Sequence, residues 1–334
     1  MGRKYFKVAT FNLLNLASAG KPYYNHSYDD NTYKRKVEWL AAHLRFMNPD
    51  IVGFQEVFHP EALEDVITAT GAYQNANILV GDRPEDGGPA VALVSRFPVS
   101  DMDVISDIPE QALLEIDGMH VPIKKFSRPV LRAKLRLSDE LSVTVYVAHL
   151  KSKRPKLPDG INQHDPRERG KGEARSLIIR AAEASGLRHL LLDTLEGTTY
   201  PVVAMGDLND DGGSVTSKIL VGEEPWRNLP MRDKQRLWDV HLYNVKDIQA
   251  RQSYRDVYYT HIHNGHYDSL DHILVSQEFV RQNPQRLGYV EYVKVFNDHL
   301  IDETLSDDRV PRWASDHGQV VATIQLERGI PGEW

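Results

Sequence analysis

Residues 201–210 read PVVAMGDLND, and this stretch decides how the rest of the chain is read. Val202 to Met205 form an unbroken apolar run between Pro201 and Gly206. Such a run, bounded by turn formers, reads as a buried strand. Asp207 and Asn209 follow at its end, two residues apart, so a period of two points both side chains the same way. One polar group at a strand end is ordinary turn chemistry. A carboxylate and a carboxamide delivered together ask for a comparison with the other strand ends.

The pattern recurs. ATFNLLN (9–15) leaves Asn12 at the tip of the first strand, and DIVGFQEV (50–57) closes on Glu56. VTVYVAHLKSK (143–153) ends its apolar run at His149. YDSLDHILVS (267–276) carries Asp271 at a strand start, and SDHGQVV (315–321) carries Asp316 and His317. Six strands each deliver Asp, Glu, Asn or His at a terminus. Carboxylate and amide oxygens are hard ligands that suit Mg2+ or Mn2+, with Ca2+ a further candidate, rather than zinc. Histidines beside them exchange protons near neutral pH. A hard cation with acid–base histidines matches phosphate ester hydrolysis: the charge on the phosphoryl oxygens is neutralised, water attacks, and a donor protonates the departing alcohol.

Bulk properties narrow the classes. The chain of 334 residues has no cysteine, which excludes disulfides, thiolate nucleophiles and zinc–thiolate sites. No run of about 18 apolar residues predicts a membrane helix. MGRKYFKVATFNLLNL at the start passes from basic residues straight into strand alternation, without the apolar stretch of a signal peptide. A cytoplasmic location is therefore expected, although a mature secreted or periplasmic form would look the same. The net charge of −7 argues against coating nucleic acid by charge alone. It accords with an acidic site neutralised by a metal.

Strand-like stretches recur along the chain, among them KYFKVATFN, NANILV, PAVALVS, VLRAKLRL, DVYYTHI, VEYVKVF and GQVVATIQL. Between them lie helical patterns. In residues 31–50, Val37, Leu40, Leu44 and Met47 share one face, with Asn31 or Thr32 as cap and Pro49 as stop. HPEALEDVITATG (59–71) starts with Pro60 in its first turn and ends at Gly71. Residues 172–195 carry apolar positions 177, 178, 181, 187, 190 and 191. Roughly a dozen strands and three or four helices predict an α/β chain with two sheets face to face and helices outside. No composition break divides it, so residues 1–334 read as one domain. Two long polar loops stand apart: a basic insertion at 151–175 and an acidic loop at 297–312.

The ordered set ATFNLLN, PDIVGFQEV, FSRPVLRAKL, VYVAHLKSK, VVAMGDLND, SLDHILVS and SDHGQVVATIQL resembles the endonuclease/exonuclease/phosphatase superfamily, with its DNase I-like fold. The resemblance spans residues 7–326. It implies a four-layer α/β sandwich with two central, mostly antiparallel sheets flanked by helices. By the same resemblance Glu56 is the main metal carboxylate, with Asn12 and Asp316 near the metal. Asp207 and Asn209 correspond to the pair that positions water and a phosphate oxygen. His317 corresponds to the catalytic histidine, oriented by Asp271, and His149 to a second, proton-donating histidine. Asp207 and His317 both remain candidates for activating the water. Arg128 resembles a phosphate-contacting arginine, with Arg132 a weaker match, and Lys151 and Lys153 would extend the phosphate rim. Glu85 and Asp86 are candidates to orient His149. His26, His241, His261, His263, His266 and His299 read as surface or packing residues.

Departures refine the branch. The abasic-site endonucleases carry an acid where this chain has Leu14 and a tyrosine where it has His149. The basic signatures of inositol-polyphosphate phosphatases are not evident. HLKSK and the basic insertion resemble bacterial nuclease-like members. The expected function is thus a metal-dependent phosphodiesterase, a nuclease on DNA or RNA. The alternatives are an enzyme acting on a small or lipid-linked phosphate ester and a non-catalytic binding protein of the same fold. No protein partner is evident.

Overall fold

The computed structural model describes residues 3–253, 258–304 and 307–330. The first part of the chain forms β1 (Arg3–Leu16), α1 (Asp30–Met47), β2 (Ile51–Val57), α2 (Pro60–Thr70), β3 (Asn77–Val80), β4 (Ala90–Ser95) and β5 (Val99–Asp107). A small hairpin, β6 (Glu115–Ile116) with β7 (Met119–His120), leads to β8 (Lys125–Arg136) and β9 (Ser142–His149). Then come α3 (Pro166–Leu195), β10 (Val202–Asp207), α4 (Val215–Val221), α5 (Met231–Val240), β11 (Tyr243–Asn244) and α6 (Val245–Ala250). The last part contains β12 (His261–His263), β13 (His266–Asp268), β14 (Asp271–Val275), β15 (Gly288–Phe296) and β16 (Gln319–Ile330).

Two six-stranded sheets result, ordered β15-β16-β1-β2-β4-β3 and β11-β14-β10-β9-β8-β5. Only β1–β2 and β9–β10 pair in parallel within them; the other neighbours are antiparallel. The sheets face each other across a core that includes Phe6, Val8, Leu131, Val145, Val147, Val203, Met205 and Ile273. Helices α1 and α2 cover the outside of the first sheet through Leu40, Leu44, Leu63 and Val66. Helix α3 covers the second through Leu187, Leu191 and Leu195. This is the four-layer arrangement expected.

Period-two alternation explains how the core leads to polar residues. Phe6 and Val8 face the inter-sheet core, and Asn12 continues that face; Ala9, Phe11 and Leu13 pack on the helices. On β9 the inner series Val143, Val145, Val147 ends in His149. On β10, Val203 and Met205 lead to Asp207, and on β14, Val275 and Ile273 lead back to Asp271. Glycine matters twice. At Gly53 a Cβ would press on Met205 of the opposite sheet, 2.7 Å from Sδ. Gly206 has φ 146°, and a Cβ there would overlap the Ala148 carbonyl of β9.

Several local expectations are corrected. Helix α1 starts two or three residues early: Asp29 caps it, accepting from the Thr32 amide, because its side chain reaches that N–H directly. It ends on Asn48 in left-handed conformation rather than at Pro49. Helix α3 begins at Pro166, capped by Asp165, so the last ten residues of the 151–175 insertion are helical. Leu177 and Ile178 are about half exposed, while Ser176, Arg180 and Glu183 are buried. The inward face is polar there because it meets backbone: Ser176 Oγ donates to Arg154 O, and Glu183 accepts from Ser127 N and Lys151 N. Helices α4, α5 and α6 are short and were not expected. Residues 256–257 of DVYYTHI and 305–306 of the acidic loop lie outside the described residues.

Candidate active site

The strand tips converge. Asn12, at the end of β1, donates through Nδ2 to Asp207 Oδ2 (3.1 Å) on the other sheet and to Glu56 Oε1 (3.4 Å). Its carboxamide oxygen accepts from the Leu14 amide. Strand alternation alone would turn Glu56 toward the helices. Its left-handed backbone, φ 66°, and the register shift after Phe54 break that pattern. The carboxylate thereby reaches Asn12 and accepts from the Asn15 amide at 2.8 Å.

Across the cleft Asp207, 2% exposed, holds the Asn209 amide at 2.9 Å and lies 3.4 Å from His149 Nε2 and 3.9 Å from His317 Nε2. Asn209, itself left-handed, anchors its side chain on Leu150 O at 3.0 Å. His317 Nδ1 sits 2.8 Å from Asp271 Oδ2, and its amide donates to Ser315 Oγ, which in turn donates to Asn12 O. The segment carrying Asp316 and His317 is thus pinned to β1 while its imidazole reaches the second sheet.

Charge follows from this packing. Burial alone would depress the His317 pKa, but Asp271, Asp207 and Asp316 outweigh it and hold the imidazole protonated well above its ordinary range. Burial is the main cause that raises Asp207, to about 7; Asp271 and Glu56 add to it, against His317. His149 is pushed the other way, well below its usual value, by burial and then by Arg128, His317 and Lys151. Its contact with Asp207 is therefore that of a neutral ring, not an ion pair. Lys36, fully buried on α1 and brought down to about 7 by burial, faces Asp316 and Glu56.

Five buried atoms here have no hydrogen-bond partner: Arg128 Nε, His149 Nδ1, His261 Nδ1, Asp271 Oδ1 and Asp316 Oδ1. Buried polar groups are nearly always satisfied, so this concentration marks a site shaped for a ligand. Among the described residues, two triads offer ligand atoms within 4.8 Å of one another, Asp207–Asp271–His317 and His261–Asp316–His317. Glu56 belongs to neither. With Asp207, Asp271, Asp316 and Glu56 set against His317 and Lys36, the carboxylate-rich cluster fits a hard divalent cation.

Other sequence candidates fare differently. Arg128 Nη1 donates to Leu150 O at 3.4 Å, beside His149. Lys151 folds its ammonium onto Ser152 and the Arg154 carbonyl. Lys153 pairs with Asp268 (3.1 Å) and Asp210 (3.8 Å), so its charge is already engaged. Arg132 pairs with Asp101 and Asp103. Glu85 is paired with Lys125 and Asp86 accepts from Gly88 N, so neither orients His149. Two histidines read as surface or packing residues border the site. The His261 ring lies 4.8 Å from that of His317, with strand pairing between them, and His299 Nε2 hydrogen-bonds the His317 carbonyl. The signal for His261 was present: Asn264-Gly265 is a hairpin turn that sets His261 opposite Asp268, three residues before Asp271.

Fold and site together define a DNase I-like sandwich with an acid–imidazole cluster at one end of its paired sheets. The sequence matches the model of the Endonuclease/Exonuclease/phosphatase family over residues 9–317, and the chain belongs to that family. No curated protein matches the sequence significantly. Among solved structures, a humanised D. rerio TDP2 is similar, with TM-score 0.57 at 15% identity, covering 97% of this chain and 100% of its own. The human Nocturnin catalytic domain with bound sulfate gives 0.54 at 16%, covering 97% and 95%. A Bacteroides vulgatus endonuclease/exonuclease/phosphatase gives 0.56 at 14%, covering 97% and 100%. Such identities speak for the fold alone. No helix among the described residues is long and apolar enough to cross a membrane.

Proposed function

We propose that this chain is a divalent-metal-dependent phosphodiester hydrolase acting on nucleic acid, with residues 1–334 as one catalytic domain. The carrying observation is the meeting of carboxylates, imidazoles and orphaned buried polar atoms from both sheets at one point. A D. rerio TDP2 structure of the same fold, described as holding single-strand DNA product, supports the substrate class.

Glu56 and Asp316 would hold the cation, Mg2+ or Mn2+, with Asn12 fixing Glu56 through its amide nitrogen. When bound, that ion would supply positive charge to the phosphoryl oxygens. The acids around His317 favour its protonated form, which supports it as proton donor and charge partner of the phosphoryl group. Asp207, raised to about 7, is the acceptor for the proton of the attacking water, and Asn209 shapes its turn. Neutral His149 offers an N–H to a phosphoryl oxygen, with Arg128 beside it. Asp271 fixes the His317 ring through Nδ1. Lys151, turned back on its own loop, lies at the rim.

The test is turnover of bis-p-nitrophenyl phosphate with Mg2+, after EDTA, and after restoring metal. Glu56→Ala and His317→Ala should each lose about two orders of magnitude. Full activity in EDTA, or in either variant, would refute the mechanism. The pairing of Lys153 with Asp210 and Asp268 favours a second reading, a small-molecule or lipid-linked ester, because it withdraws charge from a nucleic-acid track. Plasmid, single-stranded DNA, RNA, inositol phosphates and phospholipid head groups assayed together decide between the two.

A further inference from the structure

Tyr24 stands at the mouth of this site and takes no part in the chemistry above. It sits at the tip of a tight turn closed by two hydrogen bonds of 2.9 Å between Tyr23 and His26. The turn is anchored by Tyr23, which is buried and stacked on Tyr28 at 4.7 Å. At the tip Tyr24 takes a left-handed backbone, φ 47°, which a bulky residue adopts only under restraint. Its ring stands edge-on to buried Phe58 at 5.0 Å and is nonetheless 58% exposed. The fold therefore holds one aromatic face rigidly in water.

Its neighbours connect it to the site. Phe58, on which the ring rests, lies two residues beyond Glu56, and Arg128, Glu56 and Asp86 are charges that act on the Tyr24 hydroxyl. The same guanidinium is near enough to His149 to depress its basicity. Arg128, held on the Leu150 carbonyl next to His149, thus acts on both His149 and Tyr24, and its Nε is buried and unpartnered. A phosphodiester engaged by Asp207 and His149 would meet Arg128 on this side, and its substituent would extend to the exposed ring. A lipid tail needs a broad apolar surface, whereas this ring is bordered by charges. A base needs only a flat aromatic face beside a phosphate-binding cation.

The geometry points to Tyr24 as a stacking platform for the nucleobase next to the scissile phosphate of a single-stranded nucleic acid. This rests on the nuclease reading and specifies its substrate. The test is fluorescence anisotropy with a 5′-fluorescein phosphorothioate decathymidylate in Mg2+, using the unsubstituted chain, Tyr24→Ala and Tyr24→Phe. Tyr24→Ala should weaken binding on the order of tenfold, and Tyr24→Phe, which keeps the ring, by less than about twofold. Equal affinity of Tyr24→Ala and the unsubstituted chain would overturn the platform. So would equal weakening by both variants, which would assign the effect to the hydroxyl and Arg128. Turnover of bis-p-nitrophenyl phosphate is read on the same preparations. Its absence in the unsubstituted chain sinks the hydrolase reading, while the binding ratio still judges the platform.

Discussion

Asp271→Asn tests the site most directly. Asp271 is fully buried, and its Oδ2 lies 2.8 Å from His317 Nδ1. Against the depressing effect of burial, it is the foremost of the acids that keep His317 protonated. The amide preserves shape and removes charge. Breaking a buried pair costs about 3–5 kcal/mol when the remaining charge stays in place. Here the imidazole can instead release its proton, which caps the loss. The sign of the pH dependence follows. A folded pKa above the unfolded value of about 6.5 gives stabilisation that is complete below that value. It is lost as pH rises through the folded pKa. Urea unfolding of both proteins should show the largest stability difference near pH 6, shrinking steadily at higher pH. Turnover of bis-p-nitrophenyl phosphate should fall on the order of 10²–10⁴-fold, since the variant lacks the protonated donor. A variant with parental turnover and a pH-independent stability difference would refute the coupling.

Gly206→Ala should prevent stable folding, since its Cβ would overlap the Ala148 carbonyl in the parallel β9–β10 pair; a normal melting curve would contradict this. Glu183→Ala orphans the Ser127 and Lys151 amides, each loss costing about 1–3 kcal/mol. Turnover should fall with the melting temperature, because those amides flank Arg128 and follow His149; unchanged turnover would limit Glu183 to stability. Lys36→Met removes the ammonium facing Glu56 and Asp316, and calorimetry should show Mg2+ binding severalfold tighter, with weaker binding counting against the cation site. Leu44→Ala in α1 should cost about 2–5 kcal/mol in urea unfolding while leaving turnover of the folded fraction intact.

The meeting of these side chains in the candidate site was legible because one rule governs both packing and placement. The alternation that buries Val143, Val145 and Val147 also aims His149, and the same holds for Asp207 and Asp271. Glu56 is found by sequence resemblance although alternation alone would misplace it; its left-handed backbone is invisible to periodicity. The inner face of α3 departs from simple apolar counting for a related reason. Apolar counting selects Leu177 and Ile178, whereas the surface beneath is backbone, which calls for Ser176, Arg180 and Glu183. The partner expected for His149 failed because Glu85 is already paired with Lys125, a pairing between residues forty positions apart. His261 was within reach of the Asn264-Gly265 turn, whereas His299 became visible only once its loop had been brought beside His317.

The Asn12–Asp207 and His317–Asp271 bonds each join one sheet to the other. On the proposed function, turnover then works as a gauge of interlayer alignment. On the proposed mechanism, a slippage of one slab by about an ångström, too slight to expose hydrophobic surface, would pull donor from acceptor and lower turnover before the fold itself came apart.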